Sequence, residues 1–276
     1  MVVESAAGDS FAVSVQNAHM TRHHDGSAGD ANYGVIGQGY SHYRRPEPRI
    51  AAMIGEALGD SRTVLNVGAG AGSYEPADRV VTAVEPSATM RAQRGAHLSA
   101  AIDAFADHLP FDDRSFDAAM AVFTVHQWPD LRAGLREVRR VTRGPIVIMA
   151  GDPDELNRFW LNEYVPEVIA VEARRFPPIS SIVEALGARA EILSVPIPLN
   201  CTDGFAEAYY GRPEGLLDPG ARRACSAWSF VDSSIEERLV RDLTRDLDNG
   251  TWDVNNGHLR TQAEFHGSLK LVISRV

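Results

Sequence analysis

The apolar run Thr63-Val64-Leu65-Asn66-Val67 breaks into Gly68-Ala69-Gly70-Ala71-Gly72-Ser73, with a glycine at every second position. Glycines do no chemistry themselves; they let a backbone come close to a ligand. Lacking a Cβ, glycine reaches φ values that other residues avoid, and nothing stands between the main chain and whatever docks on it. A carboxylate follows at Glu85, closing a second apolar run from Arg79 to Val84. An acid at the tip of a second strand can accept two hydrogen bonds from a ribose diol. Turn and carboxylate together point to a cofactor that contains adenosine. A dinucleotide fingerprint would put its third glycine at position 73, where this chain has Ser73. Gly72 comes one residue early, and that compact spacing suits S-adenosylmethionine (SAM), which has no pyrophosphate to seat over a helix N-terminus.

Alternating strands and helices must hold this turn in place. Strand patterns read at Thr63–Val67, Arg79–Val84, about Ala100–Phe105, Phe116–Val122 and Pro145–Ala150. Helical patterns read at Arg49–Leu58, Ala88–Arg94 and Leu131–Val141, with a short helix after Gly72. That order builds a parallel sheet. Asp154–Leu186 reads as helical and carries Phe159, Trp160, Tyr164 and Phe176. Ala190–Pro196 reads as a sixth strand and Phe265–Ser274 as the last, and residues 198–257 between them read as a second helical insertion.

Composition narrows the function classes. The chain has 276 residues and a net charge of −10, enough length for one large α/β domain with an added cap. Arginine supplies nearly all the positive charge, and Lys270 is the only lysine. This acidic balance argues against a nucleic-acid partner. The one basic cluster, Arg132 to Arg143, has the spacing of a solvated helix face. No apolar stretch approaches the length of a membrane span, so no membrane partner is expected. The N-terminus lacks a basic start followed by an apolar core, as a secretory signal would have. Cys201 and Cys225 give neither metal spacing nor a disulfide framework, so a reducing, cytoplasmic setting and no metal are expected. Residues 1–30 read as a polar tail, in which His19, His23 and His24 are solvated rather than metal ligands.

The runs VLNVGAGAGSY, VTAVEPSATM and AFADHLPFDDRSFDAAMAVFTVHQWPD resemble the successive motifs of class I SAM-dependent methyltransferases, the small-molecule type 11 group. The resemblance spans roughly 35–275. It implies an α/β, Rossmann-like, seven-stranded sheet of order 3-2-1-4-5-7-6, its last strand antiparallel and its cofactor at the C-terminal strand edges. It also implies that Gly68, Gly70 and Gly72 wrap the methionine moiety and that Glu85 binds the ribose hydroxyls. Pro86 and Met90 would pack on adenine, Ala106 and Asp107 would lie at its exocyclic amine, and Phe123 would face the methionine end. Two positions depart from the pattern. Asn66 stands where an acid is frequent, and as a cofactor ligand its amide can still hydrogen-bond an ammonium. Phe105 stands where a small or acidic residue is common.

A sulfonium already makes the methyl group electrophilic, so such a protein mainly aligns nucleophile, methyl carbon and sulfur. A base is needed only where the acceptor loses a proton. His126, just past the fourth strand, is the candidate; packing beside Trp128 is the equal alternative. Asp203 reads first as a turn former. Aromatic residues gather outside the core, and Trp128, Trp160, Tyr164 and Tyr209, with Tyr40, are expected to line a substrate pocket. Such a pocket suits an apolar or aromatic metabolite of natural-product biosynthesis. Ring faces could stabilise the cation left when a carbon–carbon double bond takes the methyl, as on a prenyl side chain of an indole alkaloid. O- or N-methylation with His126 as base is the alternative, as is a regulatory protein that binds SAM without transfer. Tyr33, Tyr40 and Tyr43 sit among glycines as a lid would, so residues 1–45 read as tail and lid and 46–276 as the methyltransferase domain. The helical caps of that domain are expected at about 154–186 and 198–257. The lid would bring Tyr33 onto the cofactor, within the chain or across to a neighbouring subunit of a homo-oligomer.

Overall fold

The computed structural model describes residues 31, 39–187 and 189–275; the expected contact of Tyr33 and the histidine-bearing tail lie outside them. The chain forms β1 (Thr63–Val67), β2 (Val80–Val84), β3 (Ala118–Val122), β4 (Ile146–Gly151), β5 (Ala190–Ser194), β6 (Ile197–Pro198), β7 (Glu264–Phe265) and β8 (Leu269–Ser274). Six of these make one sheet in the order β2-β1-β3-β4-β8-β5, while β6 and β7 pair separately. β1 to β4 run parallel, and β8 lies antiparallel between β4 and β5. Every residue of β4 is buried, as a run of Ile146-Val147-Ile148-Met149 requires when helices cover both faces of a parallel strand.

Core packing follows from the helical periodicities. The helix Leu131–Val141 buries Leu135, Val138 and Val141 against one face of the sheet and turns its arginines outward. Asp130 starts it by accepting a hydrogen bond from the Ala133 amide at 2.9 Å. The opposite face carries the helix Pro48–Ala57 and the insertions, except that the helix Ile179–Ala185 buries Ile179 and Ile182 on the first face, beside Leu131–Val141. The first insertion forms the helices Leu161–Tyr164, Pro166–Arg175 and Ile179–Ala185; the second forms short 3₁₀ turns and the helices Pro219–Arg223, Ser233–Asp248 and Thr251–Asn256. Trp160 ties the two together: its Nε1–H donates to the Tyr210 carbonyl at 2.9 Å, and its ring meets Trp252 edge-on at 5.7 Å.

Three expected elements differ. The strand over Ala100–Phe105 shrinks to a single parallel bridge between Val84 and Ile102, so the sheet has six strands with this bridge at the seventh position, outside β2. Ala100, Ala101, Asp103 and Ala104 flank Ile102, and these residue types fit a half-buried pleated surface poorly. The short helix after Gly72 is absent. Tyr74 takes φ +65°, and Pro76 disfavours helical backbone at Glu75, so the segment stays a chain of turns. The last strand breaks at Gly267 and Ser268, because the Ser268 amide turns aside to donate to Glu207 at 2.9 Å. No helix among the described residues is long and apolar enough to cross a membrane.

Candidate functional site

β1 delivers the glycine turn to the C-terminal edge of the sheet. Gly68 and Gly70 take φ +70° and +53° there, values that a Cβ would strain. A Cβ on Gly68 would also stand 2.8 Å from Thr124 Cβ and 2.9 Å from Cγ2, so the turn and the loop after β3 touch only because the residue is glycine. At the tip of β2, one Glu85 oxygen accepts from the Gly70 amide and the other from the Ser87 amide, both at 2.8 Å. Burial pushes this carboxyl above its ordinary range, and the two amides only partly oppose that. The acid is thereby fixed in orientation, with further lone pairs available to a ligand diol.

A cavity of about 910 Å³, part of it open to solvent, lies over this edge. Asn66, Gly68, Gly70, Glu85, Pro86, Met90, Ala106, Phe123, Tyr40 and Trp128 all line it. Gly72 and Asp107 do not. A Cβ at Gly72 would run into Leu98, so that glycine serves turn packing. Trp128 lines this cavity, and its Nε1–H donates to Thr124 Oγ1 at 3.3 Å.

Two features of the wall escaped the sequence reading. Asn66 Nδ2 donates to Glu75 at 3.0 Å, and Glu75 is clamped by Arg94 through two bonds of 2.9 Å. With its amide nitrogen so engaged, Asn66 has its oxygen left to accept from an ammonium. Gln127 is 6% exposed, lines the cavity, and has no partner for either amide atom among the described residues. A buried amide with both groups unpaired is costly unless a ligand completes it. The glycine cradle, the pinned acid and the unpaired amide fit a group such as SAM: Glu85 could accept from a ribose, Pro86 and Met90 could pack on an adenine, and Asn66 and the glycines could receive an amino-acid end.

A second cavity of about 780 Å³ adjoins the first, and Tyr40, Arg44 and Phe123 line both. Phe123 sits at the junction with φ +53°, a strained value for an aromatic residue. Its ring packs on Phe205 at 5.3 Å and beneath the Arg44 guanidinium at 5.0 Å. Arg44 is held by Asp203, Nε donating to Oδ1 at 2.5 Å, and Tyr74 Oη donates to the same carboxylate at 2.9 Å. Asp203 is therefore a buried anchor between the N-terminal helix Tyr40–Tyr43 and the second insertion. His126 lines the second cavity, its ring 4.7 Å from Phe176.

Trp160, Tyr164 and Tyr209 line neither cavity. They pack the interior of the insertions, with Tyr164 Oη donating to Asp246 at 3.1 Å. Tyr40 and His126 share the second cavity with the rings of Phe123, Phe159, Phe176 and Phe205. Two carboxylates share that wall, Glu172 and Glu207. Burial pushes Glu172 up to about 7, the Glu207 charge adds to the rise, and Arg175 and Arg44 oppose it. Among the described residues no cluster of His, Cys, Asp or Glu is arranged to hold a metal ion.

Residues 65–145 match the family model described as a methyltransferase domain. A solved structure assigned as a methyltransferase from an antibiotic biosynthesis pathway of Anabaena variabilis is similar at 28% identity, over 85% of this chain and 99% of that one, with a TM-score of 0.79. A SAM-dependent methyltransferase of Thermotoga maritima has the same fold at 13% identity, over 88% of this chain and 95% of that one, with a TM-score of 0.51. Among curated proteins, the uncharacterized protein YafE of Escherichia coli is 38% identical over 47 residues, 16% of this chain, and the match spans only 23% of its length. The fold, the cofactor cavity and the methyltransferase-domain match over residues 65–145 are those of a SAM-dependent methyltransferase, which implies SAM as the methyl donor.

Proposed function

We propose that this enzyme methylates a small, largely apolar or aromatic metabolite in a natural-product pathway. The observation that carries this reading is the pair of adjoining cavities with Phe123 at their junction. SAM, when bound in the first, supplies an electrophilic methyl group. Glu85, Asn66 and Gln127 would orient it, Phe123 and Tyr40 would exclude water from the junction, and the phenylalanine rings of the second cavity would hold the acceptor in line. Support for the pathway class comes from the Anabaena variabilis structure, assigned to antibiotic biosynthesis. Tyr40 and Arg44 line both cavities, which suits the lid expected of this region. Cys201 and Cys225 are buried free thiols, which suits a reducing cytoplasmic setting.

A carbon acceptor and a base-assisted O- or N-acceptor make different demands. The rings around the second cavity favour the first, because they could stabilise a carbocation. Groups that could act as a base are also present, since His126 and Glu172 face the acceptor space. Incubating the enzyme with methyl-labelled SAM and an extract of small metabolites tests the reading. Labelled products heavier by one methylene are the expected result; cleavage-free binding of SAM with no product would leave a binding protein instead. With a substrate in hand, His126→Gln separates the acceptors: a substantial rate persists for carbon, and a loss of orders of magnitude marks histidine as base.

A further inference from the structure

The second cavity has an electrostatic character that its apolar rings conceal. Glu172 lies on the helix Pro166–Arg175 and opens onto the cavity, as does Glu207 from the second insertion. Glu207 is satisfied, because the Ser268 amide donates to it at 2.9 Å and the Ser268 hydroxyl at 2.7 Å. Glu172 has no side-chain hydrogen bond or ion pair among the described residues. The nearby cations have other work. Arg44 is taken by Asp203, Arg175 Nη1 donates to Ser226 at 2.9 Å and lies over Phe230 at 4.6 Å, and Lys270 Nζ donates to Glu155 at 2.6 Å. Two carboxylates therefore face the space, with Arg175 and the Asp203-bound Arg44 as the arginines on its wall. Glu172 is half-buried on the cavity wall, and a carboxylate there that no cation holds offers itself to a cation from the ligand. The phenylalanine rings present their negative faces to the same space, which also favours a cation.

We propose that the acceptor cavity takes a substrate carrying a basic nitrogen on an aromatic or apolar body, with Glu172 as the counter-ion of the protonated amine. The inference rests on the second cavity being the acceptor site. It also predicts a pH dependence. Burial holds the Glu172 carboxyl near 7, so it is largely neutral at pH 6 and ionised at pH 8, while a primary alkylammonium, like a lysine side chain, stays protonated up to about pH 10. Amine affinity should rise about tenfold between those pH values. Glu207, Arg175 and Arg44 set the background field; His126, once protonated, would also repel an ammonium, and a Glu172 variant distinguishes the two.

The test is calorimetry on the full chain. S-adenosylhomocysteine is titrated first; failure of the wild-type protein to bind it would undo the methyltransferase site itself. The loaded protein is then titrated with phenethylamine and with 2-phenylethanol, its uncharged counterpart, at pH 6, 7 and 8. The amine should bind at least tenfold more tightly than the alcohol at pH 8, and the preference should shrink toward pH 6. Glu172→Gln should abolish the preference while S-adenosylhomocysteine affinity is kept, and Glu172→Asp should retain part of it. If Glu172→Gln does not fold, the wild-type pH series decides alone. With S-adenosylhomocysteine bound, an amine that binds no better than the alcohol, a preference flat with pH, a preference surviving Glu172→Gln, or no binding of either probe at millimolar concentration overturns the inference.

Discussion

Replacing Glu85 with Gln separates cofactor binding from fold stability, because the two should respond differently. In the ligand-free protein each Glu85 oxygen already accepts one backbone amide, from Gly70 or from Ser87. A glutamine keeps one acceptor and turns its NH₂ toward the other amide, at a cost of about 1 kcal/mol. Against this, burial raises the carboxyl's pKa, so the ionised form is disfavoured in the empty site. An acid whose folded pKa is raised contributes most below its unfolded pKa and loses that contribution as pH rises toward the folded value. The neutral amide removes that loss, so the ligand-free stability at pH 8 should stay within about 1 kcal/mol, or about 2–4 °C in Tm. Cofactor affinity should fall far more. Two ribose hydroxyls donating to a carboxylate are charge-assisted bonds of about 1.5–3 kcal/mol each; losing one and weakening the other costs about 2–4 kcal/mol, a factor of about 30 or more in Kd. Calorimetry with S-adenosylhomocysteine, paired with thermal unfolding of the ligand-free protein, reads both. Wild-type affinity should also weaken as pH falls through the raised Glu85 value, and the variant should not. An unchanged affinity, or an affinity loss matched by an equal loss of stability, would refute the reasoning.

Other substitutions probe the supports of the site. Gly68→Ala places a Cβ at φ +70° against Thr124; left-handed strain and overlap together should cost about 3 kcal/mol or more, read as a fall of at least about 6 °C in Tm. Gln127→Leu removes the two unpaired amide atoms from the cavity wall, so ligand-free stability should hold or rise while S-adenosylhomocysteine affinity drops several-fold. Glu47 begins the helix Pro48–Ala57; burial would raise its carboxyl, but hydrogen bonds from Arg49 and from the Thr202 and Arg49 amides outweigh that and hold it at about 2. Glu47→Gln should therefore cost about 2 kcal/mol at pH 7, allowing for the half-exposed Arg49, and urea unfolding should show the gap narrowing as pH falls below about 5.

The strands that carry the cofactor edge were legible because a buried parallel strand must be a short apolar run and its turn must be glycine. β1 matched the predicted Thr63–Val67, and the helix Leu131–Val141 matched residue for residue. The acceptor space was not legible. Glu167 and Glu172 sit on one helix with nothing in the sequence to separate them, yet Glu167 pairs with Arg238 at the surface while Glu172 opens into the cavity. Only the docking of that helix on the sheet edge decides which acid loses its water. The aromatics misled for the same reason. Large rings mark burial, but the interior of an insertion and the wall of a pocket bury them alike, and Trp160 and Tyr164 went to the interior. Gln127 lay unnoticed between the singled-out His126 and Trp128, since no local pattern shows an amide whose partners are missing.

A crystal structure with S-adenosylhomocysteine bound tests the central claim most directly. The account predicts both ribose hydroxyls on the Glu85 carboxylate, adenine between Pro86 and Met90, and the sulfur directed at Phe123 and the second cavity. A ligand whose ribose lies away from Glu85, or whose sulfur faces away from the second cavity, would contradict it.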